Sequence, residues 1–135
     1  MTTKVRWGLL STANINKALI TPIRAAQRSE LVGVASRDGS KANAYATENK
    51  IPKSYGSYEE MLADPEIDAI YNPLPNTMHG EWTIKAADAG KHVLCEKPLV
   101  TTLAELDAVE AAAQRNKVTI FEAFMYLHHP QTLMI

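Results

Sequence analysis

Short apolar runs alternate with stretches of helical period along this chain, and that alternation limits the fold more than any other feature of the sequence. The runs fall at residues 5–10, 31–36, 51–55, 67–71, 92–95 and 118–121. The segments between them are of helical length. Strands joined by helical crossovers pair in parallel, whereas tight hairpins join antiparallel ones. The pattern therefore predicts an α/β fold of three layers: a six-stranded, mostly parallel sheet with helices on both faces. Six such strands suit the order 3-2-1-4-5-6, which places a ligand over the ends of the first and fourth strands. A chain of 135 residues suffices for one domain of this kind.

Local signals divide the chain further. The run 5–10 reads as a central strand buried on both faces. The next helix is expected to put Ile15, Ala18, Leu19, Ile23 and Ala26 on one stripe, with Pro22 interrupting it or restarting it behind Thr21. Ser40 is expected to cap the helix carrying Ala42, Tyr45 and Ala46. Pro52 demotes 51–55 to an edge strand. Ser57-Tyr58-Glu59-Glu60 and Thr102-Leu103-Ala104-Glu105 have the spacing of capping boxes. The first opens a helix running to about residue 63, and the second opens one packing Leu103, Leu106, Val109 and Ala113. A helix from about Thr77 carries Trp82, Ala86 and Ala89, and Gly90 stops it.

Composition enters through what it excludes. The net charge of −1 offers no electrostatic footprint for nucleic acid or an anionic membrane. No apolar run approaches the roughly 20 residues that span a bilayer. The single Cys forbids an internal disulfide and suits a reducing compartment, so the expected location is cytoplasmic. No metal site is expected. His128 and His129 are adjacent and point opposite ways in an extended tail. His92 reads as a packing residue and Cys95 as a small core residue.

Chemistry is sought in the loops at the strand ends. After the first strand, the glycine positions of a G-x-G-x-x-G phosphate loop hold Ser11, Ala13 and Asn16. Ser and Ala are small enough for phosphate to approach, and Ser11 and Thr12 add hydroxyls. Roughly 20 residues further on, where a carboxylate would select NAD, stand Ser36 and Arg37. Arg holds a 2′-phosphate bidentately, and Lys41 one turn later adds charge, so NADP is expected ahead of NAD. After the fifth strand, Glu96 and Lys97 stand where ligands bind in open parallel sheets.

Arg6-Trp7-Gly8-Leu9-Leu10-Ser11-Thr12-Ala13-Asn14-Ile15, the Pro75-Asn76-x-x-His79 loop, Glu96-Lys97-Pro98 and Glu122-Ala123-Phe124-Met125-Tyr126 together resemble the N-terminal Rossmann domain of the Gfo/Idh/MocA oxidoreductases. The trans-dihydrodiol and xylose dehydrogenase-like members are the nearest in pattern. The resemblance implies an NAD(P)-binding Rossmann domain over residues 1–122 and a tail over 123–135 that starts the link to a second domain. It implies hydride transfer to or from a sugar, polyol or trans-dihydrodiol hydroxyl or carbonyl. By position, Ser11, Thr12, Ala13, Asn14 and Ile15 would cradle the pyrophosphate. Leu74, Pro75 and Asn76 would line the path from adenosine to nicotinamide, and His79 would fix that loop. Glu96 and Lys97 would sit at the nicotinamide, with Lys97 the catalytic residue that steadies the reacting oxygen. Pro98 would shape the turn, and a cis bond before it is the feature to check.

Family members continue into an α+β domain that supplies most of the substrate pocket and an acid/base Tyr or His, whereas this sequence ends at Ile135. Leu127 also stands where relatives often carry Arg. The alternative expectation is therefore a truncated, non-catalytic nucleotide-binding or dimerisation module. The face a second domain would cover, together with the tail, is expected to bury itself in a homodimer. A receiver domain has similar length and a Lys-Pro after its fifth strand. It needs an acidic pair where Ser11-Thr12 stand and an Asp where Tyr55-Gly56 stand, so it is set aside.

Overall fold

The computed structural model describes residues 4–123. The expected tail from residue 124 onward, with Leu127 and the His128-His129 pair, lies outside the described residues. Six strands, β1 (Val5–Leu10), β2 (Ser29–Ala35), β3 (Lys53–Tyr55), β4 (Ala69–Asn72), β5 (His92–Glu96) and β6 (Ile120–Ala123), form one sheet. Five helices connect them: α1 (Lys17–Ala25), α2 (Gly39–Asn49), α3 (Tyr58–Leu62), α4 (His79–Asp88) and α5 (Leu103–Asn116). Short 3-10 turns at Asn14–Asn16 and Asn76–Met78 lead into α1 and α4. The strand order is β3-β2-β1-β4-β5-β6 and every pairing is parallel, as the alternation predicts.

The order reverses direction at β1, so right-handed crossovers send the helices to opposite faces. On one face Ile20 and Ile23 of α1 and Ala46 of α2 pack on Leu9, Val34 and Tyr71. On the other, Tyr58 and Met61 of α3 and Trp82 and Ala86 of α4 pack on Leu10, Ile70, Val93 and Cys95. Tyr58 meets Trp82 edge-on with ring centroids 5.0 Å apart, which ties α3 to α4. The α1–α2 face is half dressed. Beyond β1, an apolar hollow of about 380 Å³ lies among Val5, Trp7, Ala69, Leu94 and Phe121. Trp7 and Leu94 are only partly buried there, and no described helix lies over them.

Several local expectations are corrected. β1 is not buried along its whole length, because Val5, Arg6 and Trp7 keep solvent contact and only Gly8, Leu9 and Leu10 are enclosed. Pro22 does not break α1. It sits inside the helix on the exposed side, and the Ala18 carbonyl that it leaves without a donor belongs to an exposed residue of the first turn. The inward stripe of α1 is Ile20 and Ile23, with Asn16 just before them, while Ile15, Ala18 and Ala26 face solvent. Asp38, not Ser40, caps α2, and its carboxylate accepts the N–H groups of Ser40 and Lys41. Leu103 stands 80% exposed at the start of α5, which buries Val109 and Ala112. His92 is exposed and takes the Thr119 N–H on its ring rather than packing. Ser57 and Thr102 cap their helices as expected, accepting the Glu60 and Glu105 N–H groups, but neither box closes, because Glu60 takes the Gly56 N–H and Glu105 the Thr101 hydroxyl instead.

Candidate functional site

Parallel pairing gathers all the strand ends onto one edge. Leu10 is level with Ala35, Leu9 with Tyr71, and Asn72 with Cys95. Neighbouring strands lie about 4.8 Å apart, so the loops after β2, β1, β4 and β5 line a strip about 14 Å long. These loops hold nearly every residue expected at the site.

Ser11 follows β1 with φ of 138°, backbone that glycine adopts freely and other residues rarely do. That is the conformation a phosphate loop requires at its first glycine position. The strain is contained locally. The Ser11 hydroxyl accepts the Ala13 N–H at 3.2 Å, and the Ser11 carbonyl accepts from the Asn16 side-chain amide at 2.7 Å. Asn16 is fully buried, and its N–H returns to the Ala13 carbonyl. Asn16 thus closes the loop from the position where the sequence pattern lacks its third glycine. Its Oδ1 and the Tyr45 hydroxyl are buried without a hydrogen bond. Ile15, expected in the cradle, is 42% exposed, and Thr12, Ala13 and Asn14 rim the loop.

Ser36 is buried at the end of β2, where its hydroxyl accepts the Asp38 N–H. Arg37 is exposed, and its guanidinium acts on the Tyr58 hydroxyl of α3, opposing the upward pull that burial exerts on that group's pKa. Lys41 lies on the other side, in a cavity of about 360 Å³ between α1 and α2 that it shares with Thr12, Asn14 and Lys17. The strained Ser11 backbone, the small residues beside it and this basic cavity fit a dinucleotide phosphate chain.

After β4, the buried Asn72 holds the turn. Its amide donates to the His79 carbonyl and the Thr83 hydroxyl, and its Oδ1 accepts the Leu74 N–H at 3.2 Å. His79 lies between the Leu74 carbonyl, at Nε2, and the Pro98 carbonyl, 2.6 Å from Nδ1. It therefore joins its own loop to the one after β5. Leu74 is a core residue with its side chain enclosed, so it borders the strip through its backbone. Pro75 and Asn76 are exposed.

Three separate elements hold the loop after β5. Tyr71, with no exposed surface, donates its hydroxyl to Glu96 Oε1 at 2.6 Å. Burial first, then that bond and the Glu96 charge, push the Tyr71 pKa far above the ordinary phenol range. His79 contacts the Pro98 carbonyl, and Glu122 of β6 accepts the Leu99 N–H at 2.6 Å. The Lys97–Pro98 bond is cis. Lys97 itself is exposed and in no ion pair among the described residues. Burial pushes the neighbouring Cys95 thiol up to about 12, so it is an inert core group rather than a nucleophile. Sequence reasoning gave no site role to Asn16, Tyr71, Asn72 or Glu122. The mismatch at the third glycine position was the one signal for Asn16.

Comparison with known proteins agrees with this fold. Residues 5–124 match the sequence model described as the oxidoreductase family with NAD-binding Rossmann fold, GFO_IDH_MocA. The chain is 48% identical over 126 residues to D-xylose 1-dehydrogenase (NADP(+)) 2 of Haloferax volcanii, covering 93% of this chain and 39% of that protein. It is 40% identical over 121 residues to trans-1,2-dihydrobenzene-1,2-diol dehydrogenase of Xenopus laevis, covering 88% and 37% respectively. A 3-ketoreductase from Actinomadura kijaniata, crystallised with TDP-benzene and NADP, superposes with a TM-score of 0.91 at 32% identity. That match covers 98% of this chain and 42% of the reductase. The chain thus spans about two fifths of the length of these relatives.

Proposed function

Because the chain belongs to the Gfo/Idh/MocA oxidoreductase family, with its NAD-binding Rossmann fold, we propose that it is the NADP(H)-binding part of an oxidoreductase acting on a sugar-like or trans-dihydrodiol hydroxyl or carbonyl. The observation that carries the reading is the continuous strip of loops from Ser36 and Arg37 through Ser11–Asn14 to Glu96 and Lys97. The similarity to a xylose dehydrogenase of the NADP(+) type and to a ketoreductase crystallised with NADP supports the choice of cofactor. The nicotinamide ring, when bound, supplies or accepts the hydride. Everything else is the work of this chain's residues. The Ser11 loop takes phosphate on backbone at the head of α1. Arg37 and Lys41 favour an anionic adenosine. Glu96, held by Tyr71, bounds the nicotinamide end. Lys97 directs its ammonium to the reacting oxygen and stabilises charge that develops there during transfer.

The apolar hollow around Trp7, Leu94 and Phe121 supports a second reading of that face, that another copy of the chain covers it in solution. A monodisperse monomer by light scattering at micromolar concentration refutes it. For the cofactor, titration with NADPH and NADH decides. Saturable NADPH binding tighter than that of NADH is expected. No binding of either at millimolar concentration defeats the cofactor reading, and preference for NADH defeats the role of Arg37 and Lys41. In the oxidoreductase that contains this chain, Lys97→Ala lowers turnover of sugars or dihydrodiols while NADPH still binds.

A further inference from the structure

Resting on the NADP(H) reading and deepening it, we propose that Lys17 joins Lys41 and Thr12 in holding the phosphate monoester on the adenosine ribose, so that the groove between α1 and α2 selects NADPH over NADH. Lys17 opens α1, and no part of the phosphate-loop pattern draws attention to it. In the fold it faces Lys41 across the cavity of about 360 Å³, whose walls also carry Thr12, Asn14, Tyr45 and Glu48. This hollow adjoins the Ser11 loop on one side and the N-terminus of α2 on the other, where the ribose end of a dinucleotide lies.

The lining asks for an anion. Neither Lys17 nor Lys41 forms an ion pair among the described residues, although Glu48 shares the cavity. Lys53, by contrast, is paired with Asp64 and Glu66, and Lys85 with Glu81. The Tyr45 ring lines the same wall, and its buried hydroxyl lies beside the Asn16 side chain, which opposes the effect of burial on it. Burial raises its pKa, so it stays an O–H donor. A phosphate monoester carries about −1.5 to −2 charges at neutral pH and offers three acceptor oxygens, which matches two ammonium groups and the Thr12 hydroxyl. Lysine binds phosphate as a point charge and tolerates the loose geometry of an open groove. Arg37 lies outside this cavity, against the Tyr58 hydroxyl.

The test is binding, followed by calorimetry on the chain as it stands, with NADPH, NADH, adenosine 2′,5′-bisphosphate and adenosine 5′-monophosphate as ligands. Lys17→Ala is expected to weaken NADPH and the bisphosphate roughly five-fold, leave NADH and the monophosphate unchanged, and flatten the salt dependence of NADPH binding. Glu48→Gln is expected to move NADPH binding the other way, again with NADH unchanged. Both residues are exposed, and matching thermal melts establish that the variants fold. Equal losses for NADPH and NADH on Lys17→Ala, or no loss for NADPH, overturn the inference alone. Failure of the unsubstituted chain to bind either dinucleotide overturns the cofactor reading and this inference with it.

Discussion

Tyr71→Phe removes one hydroxyl from the interior and nothing else, and its cost follows from the geometry. Tyr71 has no exposed surface, and its hydroxyl meets a Glu96 oxygen at 2.6 Å. A hydrogen bond to a charged acceptor contributes about 1.5–3 kcal/mol. Glu96 is half-buried and regains water when the phenol is gone, so the low end applies, about 1.5 kcal/mol. For a domain of this size that lowers Tm by about 5 °C. The pH dependence gives a sharper readout. In the unfolded chain the phenol ionises near pH 10. In the fold its pKa lies well above that, through burial first and the Glu96 bond and charge second. Above about pH 10 the unfolded state therefore binds fewer protons than the native state, and stability falls as pH rises. The contribution of Tyr71 is complete below pH 10 and is lost at about 1.4 kcal/mol per pH unit as pH climbs toward the folded-state value. Phe cannot ionise and loses nothing. The deficit of about 1.5 kcal/mol at pH 7 should close almost fully by about pH 11 in urea melts followed by circular dichroism. Tyr45, Tyr55 and Tyr58 are shifted in the same direction and are common to both proteins, so they cancel in the comparison. A deficit of equal size at pH 7 and pH 11 refutes the reasoning, and so does a variant as stable as its parent at pH 7.

The acid limb has its own reporter. The Tyr55 hydroxyl, the Glu66 N–H and Lys53 hold the Asp64 carboxyl down at about 2, so its contribution is present above the unfolded value near 4 and vanishes as pH falls through about 2. Asp64→Asn should lower stability at pH 7 by about 1 kcal/mol and flatten the loss between pH 4 and pH 2; an unchanged acid limb counts against the assignment. Two glycines should respond in opposite senses in thermal melts. A Cβ on Gly33 would fall 2.6 Å from the Tyr55 ring, which its hydroxyl ties to Asp64, so Gly33→Ala should cost about 1–3 kcal/mol. A Cβ on Gly80 would meet only the carboxylate end of Glu105, which can swing away, so Gly80→Ala in α4 should be neutral or up to about 1 kcal/mol stabilising.

The architecture could be read from the sequence because it rests on short-range signals. Apolar runs, two capping boxes and the lengths between them are local, and they led to the six strands and their order. Errors of detail arose where neighbours in space outweighed neighbours in sequence. The α1 stripe rotated because Asn16 turns inward to bind the Ser11 carbonyl, carrying Ile20 and Ile23 with it. Asp38 displaced Ser40 as a cap because its carboxylate stands one position before the helix and reaches two N–H groups. At the site, the position of Glu96 and Lys97 was legible because they stand at the end of a strand of the predicted sheet. Their supports were not, since Tyr71, His79 and Glu122 lie 25, 19 and 23 residues from the atoms they hold. No local pattern announces such bonds, and only the assembled sheet brings their ends together.

The loop after β5 is a mount with its degrees of freedom removed one by one. Residue 96 is held through its side chain, residue 98 through its carbonyl and residue 99 through its N–H, by β4, α4 and β6 respectively. Between those fixed points the Lys97 backbone has almost nowhere to go, while its four side-chain torsions are untouched. Positional error at the ammonium therefore comes from rotamer choice and hardly at all from the chain. Any group that binds this ammonium in one rotamer has only side-chain entropy to overcome, of order 2 kcal/mol, because the loop's backbone entropy was surrendered when the domain folded.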